Sequence, residues 1–165
     1  MHIITVHAES GGNAADRDCR ASQLQYLARA HESADGGVCF LAGDFNLRQG
    51  EDQVLLDEGW RDSARQFAGV ERDDGWTWAH GEFRARYDRV YTHEGEHEKL
   101  DCLRCVTLPG YIEAGLSDHK PVCVEMRRTD TSAQAALSDR SLPKGGGRGS
   151  PRLEASCMVL EICQG

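Results

Sequence analysis

The apolar run from Val38 to Ala42 constrains the fold of this chain more than any other feature, because it is short, partly β-branched and bounded by turn residues. Asp35-Gly36-Gly37 precedes the run and Gly43 follows it. A run of this length and composition between turn signals predicts an interior β-strand rather than a helix.

Two polar side chains, Asp44 and Asn46, stand at the carboxyl end of this predicted strand. In open α/β sheets the working groups collect where strands end. Because they are two positions apart, the two side chains can point the same way, which pairs a charged acceptor with an amide that donates and accepts. The alternative interpretation is an ordinary strand-to-turn exit, where Gly, Asp and Asn are common for backbone reasons.

A strand, helix, strand unit leads to Asp44. The stretch HIITVH predicts a strand, and residues 14–33 have a helix-forming composition that ends at the turn 34–37. The helical period is carried by Cys19, Gln23, Leu24, Leu27, Ala28 and His31. A short helix is predicted at 51–59, followed by strands near 75–79, 85–93, 100–108 and 121–126, so we expect an α/β fold with a mixed or antiparallel continuation of the sheet.

Composition limits the classes of protein to consider. The net charge of -8 argues against a generic nucleic-acid coat, so a phosphate substrate would need placed arginines or a divalent cation. No stretch reaches the roughly 18 apolar residues of a membrane span, and no signal peptide is recognisable, so no membrane partner is expected. The 7 cysteines lie mostly in apolar runs and predict reduced thiols in an intracellular protein. Residues 1–126 are expected to form the domain, and 127–165, rich in Gly, Ser and Arg, a disordered tail.

Further polar residues occupy places like that of Asp44. His7 follows the first predicted strand, Asp88 lies inside YDRVY, and the loop SDHK places Asp118 and His119 directly before the last strand. Each alone is most simply a hydrogen-bonded structural residue. Together they suit phosphoester hydrolysis, which needs a group to deprotonate water, donors for the phosphate oxygens and usually Mg²⁺ held by one or two carboxylates.

A zinc site is a weaker interpretation of the sequence. HEGEH, His93 to His97, matches the zinc-protease pattern, but that motif needs a helix and this segment contains Gly95 between two predicted strands. A polar hairpin loop is the better prediction. Cys102 and Cys105 of the nearby CLRC have no standard ligand spacing, and a regular strand would turn their thiols to opposite faces.

The order of GDFN, YDRV and SDHKPV, after a strand that ends in His, resembles the endonuclease/exonuclease/phosphatase superfamily. HAES followed by a helix with Arg20 and Gln23, GDFNLR, and GWTW resemble the tyrosyl-DNA phosphodiesterase 2 branch. The resemblance covers residues 3–126. It implies half of a four-layer α/β sandwich, a mixed or antiparallel sheet flanked by helices, and an enzyme that is a metal-dependent phosphodiesterase or nuclease.

The resemblance also implies roles for individual residues. Asp44 would be the acid or base, Asn46 would orient water and phosphate, His119 would stabilise the phosphate in the transition state, and Asp88 would hold that imidazole. His7 joins this catalytic set, and Asp118 would lie beside the metal, Mg²⁺ or Mn²⁺. The residues expected to contact DNA are Glu9, Ser10, Leu47 and Arg48, together with Trp78, whose flat face would suit an unpaired base at a single-stranded 5′ end.

One departure from the family is large. The chain begins near the middle of the family's domain, so the early Asn and the Glu that is the principal Mg²⁺ ligand have no counterpart here. The missing sheet would leave an apolar face exposed, which predicts dependence on the absent half or on another chain.

Three functions follow as hypotheses: a DNA-repair hydrolase acting on DNA ends, 5′-phosphotyrosyl adducts included, an inactive fragment that still binds DNA or protein, and a phospholipid phosphodiesterase of the same superfamily. The first implies a nuclear or cytoplasmic protein.

Overall fold

The computed structural model describes residues 1–67, 75–96 and 98–130 of the chain. The elements are β1 (His2–His7), α1 (Ala14–Ala28), a 3₁₀ helix (Ala30–Ala34), β2 (Cys39–Asp44), α2 (Gln53–Asp57), β3 (Arg61–Asp62), α3 (Ser63–Gln66), β4 (Trp78–His80), β5 (Phe83–Ala85), β6 (Asp88–His93), β7 (Glu98–Thr107) and β8 (Val122–Asp130). The central sheet has 4 strands in the order β1-β2-β6-β3, and two further pairs, β4 with β5 and β7 with β8, form 2-stranded sheets.

The predicted strand, helix, strand unit is present. β1 and β2 pair in parallel, and α1 connects them after Asn13, whose side chain accepts from the backbone N–H of Asp16 in a capping box. The buried row of α1 is Arg20, Leu24 and Ala28, at four-residue steps. Cys19, which the predicted apolar face included, is exposed, because this inward row begins one residue later.

Gly43 is required where β1 and β2 meet. A Cβ added there would lie 1.9 Å from the backbone oxygen of Val6, and the residue has φ +147°, a value that other residues rarely adopt. The approach allows the two strands to run side by side as far as the pair His7 and Asp44.

Both faces of β2 are buried, which explains its continuous apolar sequence. Leu41 and Cys39 point towards the helices, where they pack in a core that includes Leu24, Leu55 and Trp60. The sheet is thus mixed and flanked by helices on one face, in agreement with the predicted α/β fold.

The other face of β2 and β6 is covered by the β7–β8 pair. Phe40 and Val90 are each 2% exposed. They belong to a second core formed by Val38, Phe40, Ala42, Val90, Leu100, Val122, Val124 and Met126. The prediction that a missing partner sheet exposes this face is therefore wrong for β2 and β6. On the edge strand β1, Ile3 is 42% exposed.

Two predictions, one for the loop after β6 and one for the strand β7, need correction. The segment that follows His93 connects β6 to β7, which lie in different sheets, so HEGEH does not form a hairpin between paired strands. His97 lies outside the described residues. In β7 an irregularity between Cys102 and Arg104 shifts the register, and both Cys102 and Cys105 contact the second core, whereas a regular strand would separate them.

The last strand is longer than the sequence predicts. β8 continues past Met126, where the tail was expected to begin, and pairs with β7 as far as Asp130. Residues 131–165, the remainder of the predicted tail, lie outside the described residues. Within the described ranges, no helix has both the length and the apolar composition needed to cross a membrane.

Candidate active site

Asp44 and Asp88 are cross-strand partners at the ends of β2 and β6, as the antiparallel register pairs them directly. Asp44 is 3% exposed and Asp88 is 2% exposed. Two buried carboxylates side by side are costly unless a donor or cation lies between them. A positive charge near the two carboxylates would therefore stabilise this edge of the sheet.

His119 can supply part of this positive charge. Its Nδ1 lies 2.7 Å from Asp88 Oδ2, and its Nε2 lies 4.0 Å from Asp44 Oδ2. The hydrogen bond with Asp88 is the largest cause of the raised pKa of His119, and the carboxylates of Asp88, Asp44 and Asp118 raise it further, whereas burial opposes the shift. Asp88 thus holds Nδ1 as the donor, and Nε2 faces Asp44.

The Asp44 carboxylate is held by the turn that follows it. The backbone N–H of Asn46 donates to Oδ1 at 2.8 Å, and the Asn46 amide donates to Oδ2 at 3.2 Å. Asn46 has φ +50°, a left-handed conformation that Asn tolerates, and this turn brings the amide back over Asp44. Burial raises the pKa of Asp44, the Asn46 N–H lowers it and the nearby charge of Asp88 raises it.

Arg48 lies at the rim of the site. Its guanidinium donates to the backbone oxygens of Asn46 at 2.6 Å and of Ser10 at 3.1 Å, and lies 4.8 Å from the centre of the Tyr87 ring. The side chain therefore connects the segment after β1 with the turn after β2.

A buried arginine fixes the two segments that Arg48 connects. Arg20 is 0% exposed and donates to both carboxylate oxygens of Glu51, as well as to the backbone oxygen of Glu9. Glu51 in turn accepts from the backbone N–H of Arg48 at 2.9 Å. Arg20 carried the resemblance in the sequence, and the structure gives it this supporting contact.

Two of the predicted DNA contacts, Leu47 and Glu9, are not among the residues that line the pocket. The Leu47 side chain is 3% exposed and packs in the helix-side core, so it does not line the pocket. The Glu9 carboxylate accepts from the backbone N–H groups of Ser10 and Gly11 and so shapes its own loop.

Two aromatic residues, Trp78 and Tyr87, line the same pocket. Trp78 donates its indole N–H to Asp118 Oδ2 at 2.8 Å, and its ring centre lies 5.3 Å from that of Tyr87. Tyr87 was missed in the sequence, although its position next to Asp88 in RYDRV was the available signal. The cavity at this site has a volume of about 370 Å³ and is lined by His7, Ser10, Asp44, Asn46, Arg48, Trp78, Tyr87 and His119.

The oxygen ligands at this edge of the sheet suit a hard cation such as Mg²⁺. They would supply only part of its coordination shell. In the described part of the chain no group of 3 or more His, Cys, Asp or Glu side chains could hold a metal ion. Mg²⁺ commonly uses one or two carboxylates, with water and substrate phosphate completing its shell. The residue that the resemblance places beside the metal is Asp118, whose carboxylate accepts the indole N–H of Trp78.

Comparison with known proteins relates this geometry to a fold. No protein-family model matches the chain and no curated protein matches it. Among solved structures, D. rerio TDP2 complexed with single strand DNA product is 24% identical, with a TM-score of 0.59 over 72% of this chain and 52% of that one. The chain has the fold of the endonuclease/exonuclease/phosphatase proteins. A humanized D. rerio TDP2 matches with a TM-score of 0.56 at 22% identity over 72% of this chain and 51% of that chain.

A bacterial structure widens the comparison. The endonuclease/exonuclease/phosphatase from Bacteroides vulgatus matches with a TM-score of 0.54 at 17% identity, over 68% of this chain and 45% of that one. This chain thus spans about half the length of the TDP2 structures it matches. The resemblance in the sequence is confirmed at the level of the endonuclease/exonuclease/phosphatase fold.

Proposed function

We propose that this chain contributes the acid and base groups of a metal-dependent phosphodiesterase that acts on DNA ends, including 5′-phosphotyrosyl adducts. The observation that carries the proposal is the placement of His119 between Asp88 and Asp44, with distances of 2.7 and 4.0 Å. An imidazole held by one carboxylate and facing another is suited to bind a phosphate oxygen and move a proton beside it.

Asp44 would be the acid or base in this reaction. Its pKa is raised by burial, so a proton can be exchanged nearer to neutral pH than on a free aspartate. The Asn46 amide, 3.2 Å from the same carboxylate, would orient the attacking water and a phosphate oxygen. His119, whose protonated form is favoured by Asp88, would stabilise the charge that develops on the phosphate.

The remaining groups would hold the nucleic acid. The guanidinium of Arg48 lies at the rim with the backbone of Ser10 and supplies a fixed positive charge for a phosphate. Trp78 and Tyr87 offer adjacent ring faces, which suits an unstacked base at a single-stranded 5′ end. The D. rerio TDP2 in the comparison is complexed with a single strand DNA product.

A divalent cation, Mg²⁺ or Mn²⁺, would be held beside Asp118 of this chain, with water and substrate phosphate completing its coordination shell. When bound, it would act as a Lewis acid towards a phosphate oxygen. Asp118 already accepts the indole N–H of Trp78, which fixes the orientation of its carboxylate. The expected location stays the one that the cysteines in apolar runs predict, a reduced intracellular compartment, nuclear or cytoplasmic.

The test is hydrolysis of a 5′-phosphotyrosyl oligonucleotide by the purified chain with Mg²⁺ or Mn²⁺. Asp44→Asn should abolish turnover, whereas Asp57→Asn, at an exposed position, should leave it unchanged. Failure of the wild-type chain to turn over, or turnover that survives Asp44→Asn, would overturn the proposal. Fluorescence anisotropy with the same oligonucleotide would show whether binding without turnover remains. Faster cleavage of sphingomyelin than of DNA would show that the substrate of this site is a phospholipid.

A further inference from the structure

We infer that Thr77 is a positioning residue for the Asp88–His119 pair. The inference rests on the proposed function, in that it takes this pair to be catalytic. Thr77 immediately precedes β4 and is 1% exposed. It lies between the strand that carries Asp88 and the loop that carries His119, and it makes hydrogen bonds to both.

The hydroxyl oxygen of Thr77 holds the start of β6. It accepts from the backbone N–H of Tyr87 at 3.0 Å and from that of Asp88 at 2.9 Å. The backbone N–H of Thr77 donates to Ala85 O at 2.9 Å. A buried N–H without an acceptor is costly, so this one oxygen meets a requirement of two backbone groups. The contact fixes the residue whose carboxylate binds His119.

The backbone of the same segment holds the loop of His119. Thr77 O accepts from the Lys120 N–H at 2.6 Å, and Ala79 N donates to Asp118 O at 3.0 Å. An isolated antiparallel bridge pairs Trp78 with His119. The loop is thus paired along β4, and β4 is tied through Thr77 to Asp88.

A cation–π contact strengthens this pairing. Lys120 is 7% exposed, and its Nζ lies 3.1 Å from the ring centre of Trp76. Arg84 of β5 lies 4.9 Å from the same ring. Trp76 therefore connects the residue after His119 with the strand on the other side of β4. The 2.7 Å hydrogen bond between His119 and Asp88 joins two segments that the sequence separates widely, and residues 76–79 set their spacing.

The matched variants are Thr77→Val, which keeps the shape of the side chain but removes the hydroxyl acceptor, and Thr77→Ser, which keeps the hydroxyl acceptor. Thr92→Val is the control, because Thr92 is also buried at 1% exposure but its hydroxyl donates to Arg61 O at 3.4 Å, away from the site. In ¹⁵N-edited proton spectra of the whole chain, the His119 Nδ1 proton should appear at low field and exchange slowly, and His119→Gln identifies it by removing it. We expect this signal to be lost in Thr77→Val and retained in Thr77→Ser and Thr92→Val.

Turnover supplies the second readout. Thr77→Val should lower kcat by about 10- to 100-fold with little change in KM, the size of effect seen when a partner that orients a functional group is removed. Thr77→Ser should restore most of the rate. An inactive wild-type chain would overturn the proposed function. The His119 signal is measured without substrate, so it would still test the role of Thr77.

An unchanged His119 signal in folded Thr77→Val would overturn the inference. If Thr77→Val does not fold, the wild-type chain decides, because the Tyr87 and Asp88 amides must then exchange with solvent more slowly than those of the exposed turn 81–82. Equally fast exchange at Tyr87 and Asp88 would also overturn it.

Discussion

His119 Nδ1 lies 2.7 Å from Asp88 Oδ2, so the carboxylate at the start of β6 determines which imidazole nitrogen faces the pocket. This relationship depends on the cross-strand pair of Asp88 with Asp44, which places both acids at one edge of the sheet. The imidazole is the group shared by the two carboxylates.

We expect Asp88→Asn to lower kcat by about 100-fold or more, because an amide stabilises the imidazolium poorly and no longer selects the Nδ1–H tautomer. Steady-state kinetics on the phosphotyrosyl oligonucleotide measures the effect, with Asp57→Asn as the exposed control. A rate within a few-fold of wild type would mean that Asp88 has only a structural role.

The histidine pair remote from the site should make a contribution to stability that is lost on mild acidification. His31 and His93 stack with ring centres 4.0 Å apart, and burial and the charge of His31 lower the pKa of His93, while Glu94 and Glu58 oppose this. The unfolded chain binds a proton at His93 below pH about 6.5, which the folded chain resists, so the contribution of His93 to the free energy of unfolding decreases from pH about 6.5 down to the folded pKa.

Urea unfolding between pH 5 and 7.5 measures this dependence. His93→Gln should flatten it, whereas His2→Gln, at an exposed position, should not. The same slope in wild type and His93→Gln would exclude the histidine pair as its source.

Arg20→Met should destabilise the chain by about 3 kcal/mol, the lower end of the cost of breaking a buried ion pair, since the Glu51 side chain is 22% exposed and can regain some water. The backbone oxygen of Glu9 would also lose its donor. Chemical denaturation measures the change. Arg29→Met, at an exposed pair with Glu32, is the control and should have no measurable effect. Equal behaviour of the two variants would show that the Arg20 pair contributes nothing.

Cys105 should resist alkylation. Partial burial against the second core raises its pKa to about 12, so its thiolate fraction at pH 8 is on the order of 10⁻⁴. Exposed Cys19 should react with iodoacetamide far faster, as mass spectrometry of the labelled peptides would show. In 8 M urea the two rates should converge, and similar rates without urea would place Cys105 outside the core.

Local patterns in the sequence were enough to predict the strand, helix, strand unit and the principal polar residues of the site. The run ending at Asp44 and the segments YDRV and SDHK carried that information, because strand ends and turns have strong short-range signals. The fold agrees with this prediction. The assigned roles of Asp44, Asn46, Asp88 and His119 stay predictions, although the structure brings these side chains together.

Other features depended on partners far away in the chain. Leu47 belongs to a segment that resembles a DNA-contacting segment, yet its side chain packs in the helix-side core. Burial of an apolar side chain beside the helices is lower in free energy than its exposure at the rim of the pocket. Tyr87 enters the site only because Trp78 is brought beside it.

The types of chemical group at the site and their order along the chain follow from the amino-acid sequence. The covering of the second sheet face by β7 and β8, and the place of Thr77 between Asp88 and the His119 loop, follow from the folded chain. Burial and hydrogen bonding between remote segments depend on three-dimensional packing, and short-range periodicity does not encode it.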